Sequence, residues 1–193
     1  MELITGLGSG AHIDAIDDAM WHRGIWPDDG VVPFGDNLQA QIQSNNEIRI
    51  QSGIAIFQGR FFAVRPGTYD SVTIQNGTQG EKRTDLIVAR YTKAEGTGIE
   101  TMEWIVLQGT PAASDPQTPA HTEGNIDNGD LTVDYPCCKV NIDGINITSV
   151  ENLLPVLPTL SGIKEALYVD KIQVVTSLPG SPDAGTLYFV EEE

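Results

Sequence analysis

Residues 86–91 read Leu86-Ile87-Val88-Ala89-Arg90-Tyr91, and this stretch decides the fold class. Its first four residues are apolar on both sides of an extended chain, which is typical of a strand in the middle of a sheet with both faces covered. The turn-forming segment at 94–98 follows, and Thr101–Leu107 then has the character of a second strand. The sequence therefore predicts a buried central strand joined by a short turn to its neighbour.

Other short strand signals surround this central strand. Ile, Val and Thr together number 49 of the 193 residues, whereas Leu numbers 13, and this balance favours sheet over helix. Further strands are predicted at Asn37–Gln43, Arg60–Val64, Ser71–Gln75, Ile172–Val175 and Thr186–Val190. We predict a mainly β protein whose body is an antiparallel β-sandwich or a barrel-like domain, with a short N-terminal helix and a small C-terminal β appendage.

Turn chemistry predicts two hairpins within this body and a helix before it. Gly53 at the end of 51–53 suits a three-residue loop that pairs Ile50 with Ile54, and Asp143-Gly144 suits a type I′ turn. A helix is predicted from Asp14, as its N-cap, to Arg23.

Two segments rich in proline interrupt the strand pattern. Residues 109–129 are expected to form an extended surface loop, and residues 153–158 a linker or an apolar strap. Helical turns are expected at 161–167. We predict four parts: a helix-and-loop segment at 1–37, a main β domain at 38–152, a linker with a short helix at 153–171 and a β-hairpin appendage at 172–193.

The net charge of −16 comes mainly from the two ends of the chain. Residues 1–40 hold seven acids and one base, and residues 141–193 hold eight acids and two bases. Such an acid excess argues against binding nucleic acid or an anionic membrane, both of which require Lys and Arg. No apolar run approaches the ~20 residues that span a bilayer, and the first residues do not resemble a signal peptide. The acids are interpreted as a solvated surface or as contacts to basic patches on partner subunits.

The sequence contains few candidates for catalytic or metal-ligating residues. A metal site drawn from His12, Asp14 and His22 competes with capping and solvation of those acids, which is the simpler interpretation. The acidic pairs Asp17-Asp18 and Asp28-Asp29 do not supply the opposed carboxylates of a glycosidase, and no phosphate-binding loop, nucleophile elbow or zinc motif is present. We therefore predict no enzyme activity, no catalytic, cofactor-binding or metal-ligating residue, and no cofactor. The adjacent Cys137 and Cys138 are expected to be small buried hydrophobes in a reducing cytoplasm.

A series of short motifs in a fixed order resembles tail or baseplate appendage proteins of bacteriophages and prophages from Gram-positive hosts. The series includes Asn45–Gly53, Ile74–Tyr91, Val106–Thr110 and Ile145–Glu151, and covers about residues 1–155. The segment Thr176–Pro179, followed by Gly185–Val190, looks like a short β module of phage tail and fibre proteins. Within the second motif, Arg83 and Asp85 flank the start of the buried strand, and we hypothesise that they form an ion pair; if they do not, Asp85→Asn should cost little.

This resemblance implies a non-enzymatic structural component of a tail tip or baseplate, assembled in the bacterial cytoplasm and carried in the virion. Its expected partners are other tail proteins and further copies of itself. Two alternatives remain open at this point. The first is a receptor-binding module for host cell-wall saccharide, in which Trp21, Trp26, Trp104 and Tyr69 stack on sugar rings. The second is a wall-degrading hydrolase, which requires an opposed carboxylate pair in a cleft.

Overall fold

The computed structural model describes residues 14–26, 28–159, 161–163 and 171–191. The chain forms two compact units, Met1–Leu157 and Pro158–Glu193, here called the body and the C-terminal unit. In the body, a helix precedes eight strands and a 3-10 turn at Ile126–Asn128. Helix α1 spans Ala15–Ile25, and the strands are β1 (Gly30–Val32), β2 (Ala40–Ser44), β3 (Glu47–Phe57), β4 (Arg60–Thr73), β5 (Lys82–Lys93), β6 (Glu100–Leu107), β7 (Thr132–Asp143) and β8 (Asn146–Asn152).

Two antiparallel sheets form the body. In sheet A, the long strand β3 pairs on one side with β1 and β2 and on the other with β4. In sheet B the order is β6-β5-β7-β8. β2 lies against β8 and β4 lies against β6, so the sheets stack as a sandwich. The core between them includes Ile48, Ile50, Ile87 and Val140, each at most 1% exposed.

The fold class is confirmed: the chain is mainly β and sandwich-like, with a short N-terminal helix and a small C-terminal β unit. Among the described strands, neither sheet of the body closes into a barrel. The helix is capped as predicted, because the Asp14 side chain accepts hydrogen bonds from the Ile16 and Asp17 amides. In turn, the Asp17 carboxylate accepts a hydrogen bond from the Asp14 amide. In the part of the chain that the structure covers, no helix is long and apolar enough to cross a membrane.

β5 is the central strand that its sequence predicts. It lies between β6 and β7, and residues 86–89 are at most 2% exposed. Ile87 and Ala89 face the core, so Leu86 and Val88 lie on the outer face of sheet B. Residues 109–122 are fixed to this sheet at both ends, where the Gly109 amide donates to Asp85 and the Thr122 amide donates to Asp134. We infer that this proline-rich segment covers the outer face.

The hypothesised ion pair of Arg83 and Asp85 is confirmed. Arg83 Nε donates to Asp85 Oδ1 at 2.8 Å and Arg83 Nη2 donates to Asp85 Oδ2 at 3.0 Å, with side chains 3% and 0% exposed. Arg83 also donates to the carbonyls of Gln75 and Asn76. Asp85 accepts from the Gly109 amide at 2.9 Å. This buried pair therefore joins the loop before β5 to the loop after β6.

The predicted hairpin at 51–53 is wrong, because β3 continues through it from Glu47 to Phe57. Ile48 pairs with Ile42 of β2, and Ile54 pairs with Val32 of β1 and Ala63 of β4. Gly53 is required by a close approach and not by a turn, since a Cβ there would overlap the backbone of Leu38. The prediction took this glycine for a turn residue.

Three other boundaries differ from prediction. β2 begins at Ala40 and not at Asn37, because Asn37 and Leu38 adopt left-handed φ angles of 55° and 52°. The two strands predicted at 60–64 and 71–75 form one strand, β4. The hairpin of β7 and β8 exists, but Asp143 pairs with Asn146, so its turn lies at 144–145, one residue later than predicted.

The C-terminal unit contains β9 (Lys171–Val175) and β10 (Thr186–Val190). Both strands are at the predicted positions. They pair in parallel, with Ile172 opposite Leu187 and Val174 opposite Phe189. The predicted β-hairpin appendage is therefore wrong in its pairing, because a hairpin is antiparallel and residues 176–185 carry the chain back to the start of the sheet. Of the predicted helical turns, residues 161–163 are helical and the remainder lies outside the described residues.

Candidate interaction surfaces

The β3–β4 turn at Gln58-Gly59 positions α1 on the outer face of sheet A. Both turn residues have left-handed φ angles, 46° and 80°, which suits a tight hairpin turn. His22 Nδ1 donates to the Gly59 carbonyl at 2.9 Å. A Cβ at Gly59 would overlap the backbone of Ala19, whose side chain is buried. The glycine therefore allows the helix to sit directly on the turn.

Aromatic and charged contacts fix the helix in this position. His22 and Trp26 pack edge-on against Phe61 of β4, and their ring centroids lie 4.6 Å and 5.5 Å from that of Phe61. Asp127 in the 3-10 turn accepts from Arg23 of the helix at 2.9 Å and from Arg60 of β4 at 2.7 Å. The helix is thus tied to the body along one side.

The part of α1 that does not contact the body carries four exposed large apolar side chains, which we call the α1 surface. Its members are Ile16, Met20, Trp21 and Ile25, which are 46%, 50%, 69% and 48% exposed. Within the helix only Ala19 is buried. A helix that leaves most of its large apolar side chains in contact with water has the character of a protein-binding element.

The C-terminal unit presents a second apolar surface. Residues at alternate positions of paired strands share a face, and the register aligns Ile172 with Leu187 and Val174 with Phe189. These four side chains are 64%, 44%, 62% and 53% exposed, and we call them the C-terminal apolar face. Within β9 and β10 as described, no charged residue shares this face.

The aromatic residues suggested for sugar stacking lie in different settings. Trp21 belongs to the α1 surface and Trp26 packs on Phe61. Trp104 packs edge-on against Phe62 between the sheets, and its Nε1 donates to Asp70 at 2.8 Å. Tyr69 is 47% exposed, with the Arg49 guanidinium 4.2 Å above its ring. Trp26 and Trp104 thus have packing roles, whereas the rings of Trp21 and Tyr69 remain accessible.

The acids and histidines considered for metal binding have structural partners. Asp14 and Asp17 cap the helix, and His22 binds the Gly59 carbonyl. Asp29, from the acidic pair considered for glycoside hydrolysis, accepts from the Gln58 amide at 2.7 Å. Burial raises the pKa of its carboxyl, although that hydrogen bond and the charge of Arg23 act in the opposite direction. His12 lies outside the described residues. Across the residues that the structure describes, no group of three or more potential ligands is arranged to hold a metal ion.

Two concave regions of the body could admit a small ligand. A cleft of about 90 Å³ lies between β4 and β6 and is lined by Asp70, Glu103 and Trp104 among others. Asp70 accepts from Trp104, and strand alternation directs Glu103 to the other side of β6 from Trp104, so these two carboxylates do not oppose one another. An open depression of about 410 Å³ beside the β7–β8 turn has one carboxylate, Asp143, in its lining. Neither region has the opposed acids that glycoside hydrolysis requires.

Both cysteines are buried, as predicted, and the structure shows how two neighbours can share one core. Ile87 pairs with Cys138 while Val88 pairs with Pro136, so Cys137 is the extra residue of a β-bulge. The bulge breaks the alternation of faces, and both residues join the core at 0% and 1% exposure.

We expect neither thiol to react in the folded protein. Burial raises the pKa of Cys138 to about 12 and raises that of Cys137 as well, so the reactive thiolate is disfavoured at neutral pH. Incubation with a chromogenic disulfide reagent at pH 8 should release no signal until denaturant is added, and should then report two thiols per chain. Rapid reaction of the native protein would contradict this placement.

Sequence reasoning missed the residues that tie these elements together. Gln58 is central: its side chain donates to the Gly124 carbonyl and accepts from the Ile126 amide, and its own amide donates to Asp29. The signal available was Gln58-Gly59 directly after an apolar run, which indicates a turn. Asp127 carried no comparable signal, because its partners, Arg23 and Arg60, are distant in the sequence.

No protein-family model matches this chain, and no curated protein matches it significantly. Function must therefore be argued from the surfaces themselves.

Proposed function

We propose that this protein is a non-enzymatic structural component of a phage or prophage tail tip or baseplate, and that it assembles there with other tail proteins. The single observation that carries the proposal is the presence of two apolar surfaces, the α1 surface and the C-terminal apolar face, on elements outside the sandwich core. Exposed apolar clusters of this kind mark sites of protein association. The order of motifs along residues 1–155 supports the choice of a tail assembly.

The α1 surface is the element that we assign to another tail protein. Its helix carries Asp14, Asp17 and Asp18 in and beside its first turn, which favours a partner with basic residues at that end. An apolar groove with a basic rim on another tail protein is complementary to it, and a helix in such a groove is a common mode of recognition. The protein is therefore expected to occupy the virion and not to remain free in the host cytoplasm.

The test is the composition of particles. Virions are purified from an induced lysogen or a lytic infection by density gradient, and their proteins are identified by mass spectrometry. The chain is expected in the particle fraction at a fixed ratio to a known tail protein. Its presence only in the soluble lysate would overturn the proposal.

A second candidate function is recognition of host cell-wall saccharide, which is favoured by the exposed rings of Trp21 and Tyr69. Titration with solubilised cell-wall fragments should then change the tryptophan fluorescence of the wild type but not of Trp21→Ala. Trp104→Phe serves as the matched control, because that ring is held between Phe62 and Asp70. Absence of any fluorescence or calorimetric signal would remove this candidate.

A further inference from the structure

The described apolar side chains of β9 and β10 are largely exposed. Among the described residues of the C-terminal unit, 158–159, 161–163 and 171–191, none is buried. Its sheet has only the two strands β9 and β10, and they are parallel. Parallel sheets normally have both faces covered, and a two-stranded sheet is marginally stable in water. The unit has 36 residues, a size at which folded domains usually depend on cross-links, metals or association.

The chemistry of the C-terminal apolar face favours a second copy of itself as the cover. Ile172, Val174, Leu187 and Phe189 form a patch without charge, so face-to-face packing buries no unpaired ion. A patch that meets its own copy across a two-fold axis is matched in size and chemistry by symmetry. Two sheets stacked in this way would form a two-layer core.

Charge at the two ends of the parallel pair selects the orientation. Both strands run in the same direction, from the end with Lys171 to the end with Glu191, after which the sequence continues Glu192-Glu193. A parallel arrangement of copies would bring the Glu191 carboxylates together at one end. A two-fold arrangement with the strands antiparallel separates them and places Glu191 of each copy beside Lys171 of the other.

We propose that the C-terminal apolar face packs against the same face of a second copy of this chain, with the strands of the two copies antiparallel, to form a dimer. The four side chains offer on the order of 400 Å² per copy, about half of a standard interface. The dimer is therefore expected to be weak, with a dissociation constant in the micromolar range. This inference does not rest on the role in a phage tail, and a separate experiment tests it.

Sedimentation velocity of the full-length chain from about 1 to 200 μM tests the dimer. The wild type is expected to pass from monomer to dimer as its concentration increases. Val174→Lys introduces a charge into the face and should raise the dissociation constant at least about thirtyfold. Val190→Lys is the matched control, because Val190 is on the opposite side of the same sheet and is 46% exposed; its dissociation constant should stay within about threefold of wild type.

Hydrogen exchange of the wild type provides a second test, which does not depend on whether a variant unfolds the unit. In the wild type, the amides of β9 and β10 should be more protected at high than at low concentration, whereas those of β5 should not change. A wild type that remains monomeric at 200 μM, or that forms a trimer, overturns the proposal. Equal effects of Val174→Lys and Val190→Lys overturn it too, because the contact would then not depend on this face.

Lys171→Glu tests the orientation. In the antiparallel dimer it places a new acid beside Glu191 of the second copy, so the dissociation constant should rise about three- to tenfold at low ionic strength, and less in high salt. Lys93→Glu is the control, since Lys93 belongs to the body and its charge is also on the surface. An unchanged or tighter dimer in Lys171→Glu would overturn the antiparallel arrangement.

Discussion

Replacing Asp85 with alanine is expected to lower the free energy of unfolding by about 3–5 kcal/mol, the largest effect of any single substitution proposed for the body. The cost arises because Arg83 is 3% exposed and would keep its charge without a carboxylate. The Gly109 amide would also lose its acceptor. Chemical denaturation of wild type and variant, followed by tryptophan fluorescence and circular dichroism, measures the difference.

Glu47→Ala is the matched control for Asp85→Ala. Glu47 and Arg49 are also an acid and an arginine two residues apart on a strand, and their Nε–Oε1 distance is 3.0 Å. Each side chain is 30% exposed, so water can replace the lost partner. The control should unfold close to wild type. If Asp85→Ala behaved like Glu47→Ala, the buried pair would not stabilise the two loops in the way described.

Asp134→Ala is expected to cost about 2–3 kcal/mol, the loss typical of hydrogen bonds to a charged group. The Asp134 side chain is fully buried. Its carboxylate accepts hydrogen bonds from Arg90 Nε at 2.6 Å, Arg90 Nη2 at 2.9 Å and the Thr122 amide at 2.9 Å. The cost is smaller than for Asp85 because Arg90 is 27% exposed and can turn to water. The variant should also be cut faster by a nonspecific protease near residue 122, because the Thr122 amide loses its acceptor and that end of the segment keeps only the bond from the Asp134 amide to the Thr122 carbonyl.

Asp130→Ala controls for removal of an acid from the same region, since Asp130 is exposed and accepts only from the Asn125 amide. Its stability and its cleavage rate should remain near those of wild type. Cleavage of Asp134→Ala at the wild-type rate would contradict a contribution of the Asp134 carboxylate to the attachment at Thr122.

The contribution of Asp134 should also depend on pH. Burial alone would raise the pKa of this carboxyl, but the hydrogen bonds from Arg90 and Thr122 outweigh it and hold the pKa below its ordinary value. A carboxyl with a lowered pKa stabilises the fold above its unfolded pKa of about 4 and loses this effect as the pH falls through the folded value. The difference between wild type and Asp134→Ala should therefore be largest near neutral pH and should shrink below pH 4.

Local patterns predicted the strands more successfully than their pairing. The apolar run at 86–89 indicated a central strand, because a strand that is buried on both faces has apolar residues at consecutive positions. The signal at Gly53 was ambiguous, since a glycine can serve a turn or a close approach, and only the position of Leu38 distinguishes them. The parallel pairing of β9 and β10 has no local signature either, because proline and glycine between two strands suit a hairpin as well as a longer return.

The candidate surfaces were only partly predictable. Acidic residues at both ends suggested where to look for contacts, and Asp14 was correctly expected to cap the helix. The exposure of Met20 and Trp21 depends on the turn at Gln58-Gly59, which selects the side of the helix that meets the sheet. That choice is a tertiary contact between segments about forty residues apart, and helical periodicity alone did not reveal it.

The order of sheet B also sets how this protein can reach its native state. β5 pairs with β6 across a short turn, but its other neighbour, β7, lies 40 to 61 residues further along, since Thr92 meets Thr132 and Lys82 meets Asp143. During synthesis, one edge of the β5–β6 hairpin therefore keeps its backbone N–H and C=O groups unpaired until the ribosome has released the chain beyond Asp143. Closing so long a loop is slow, and the open edge is exposed to wrong pairing until β7 arrives.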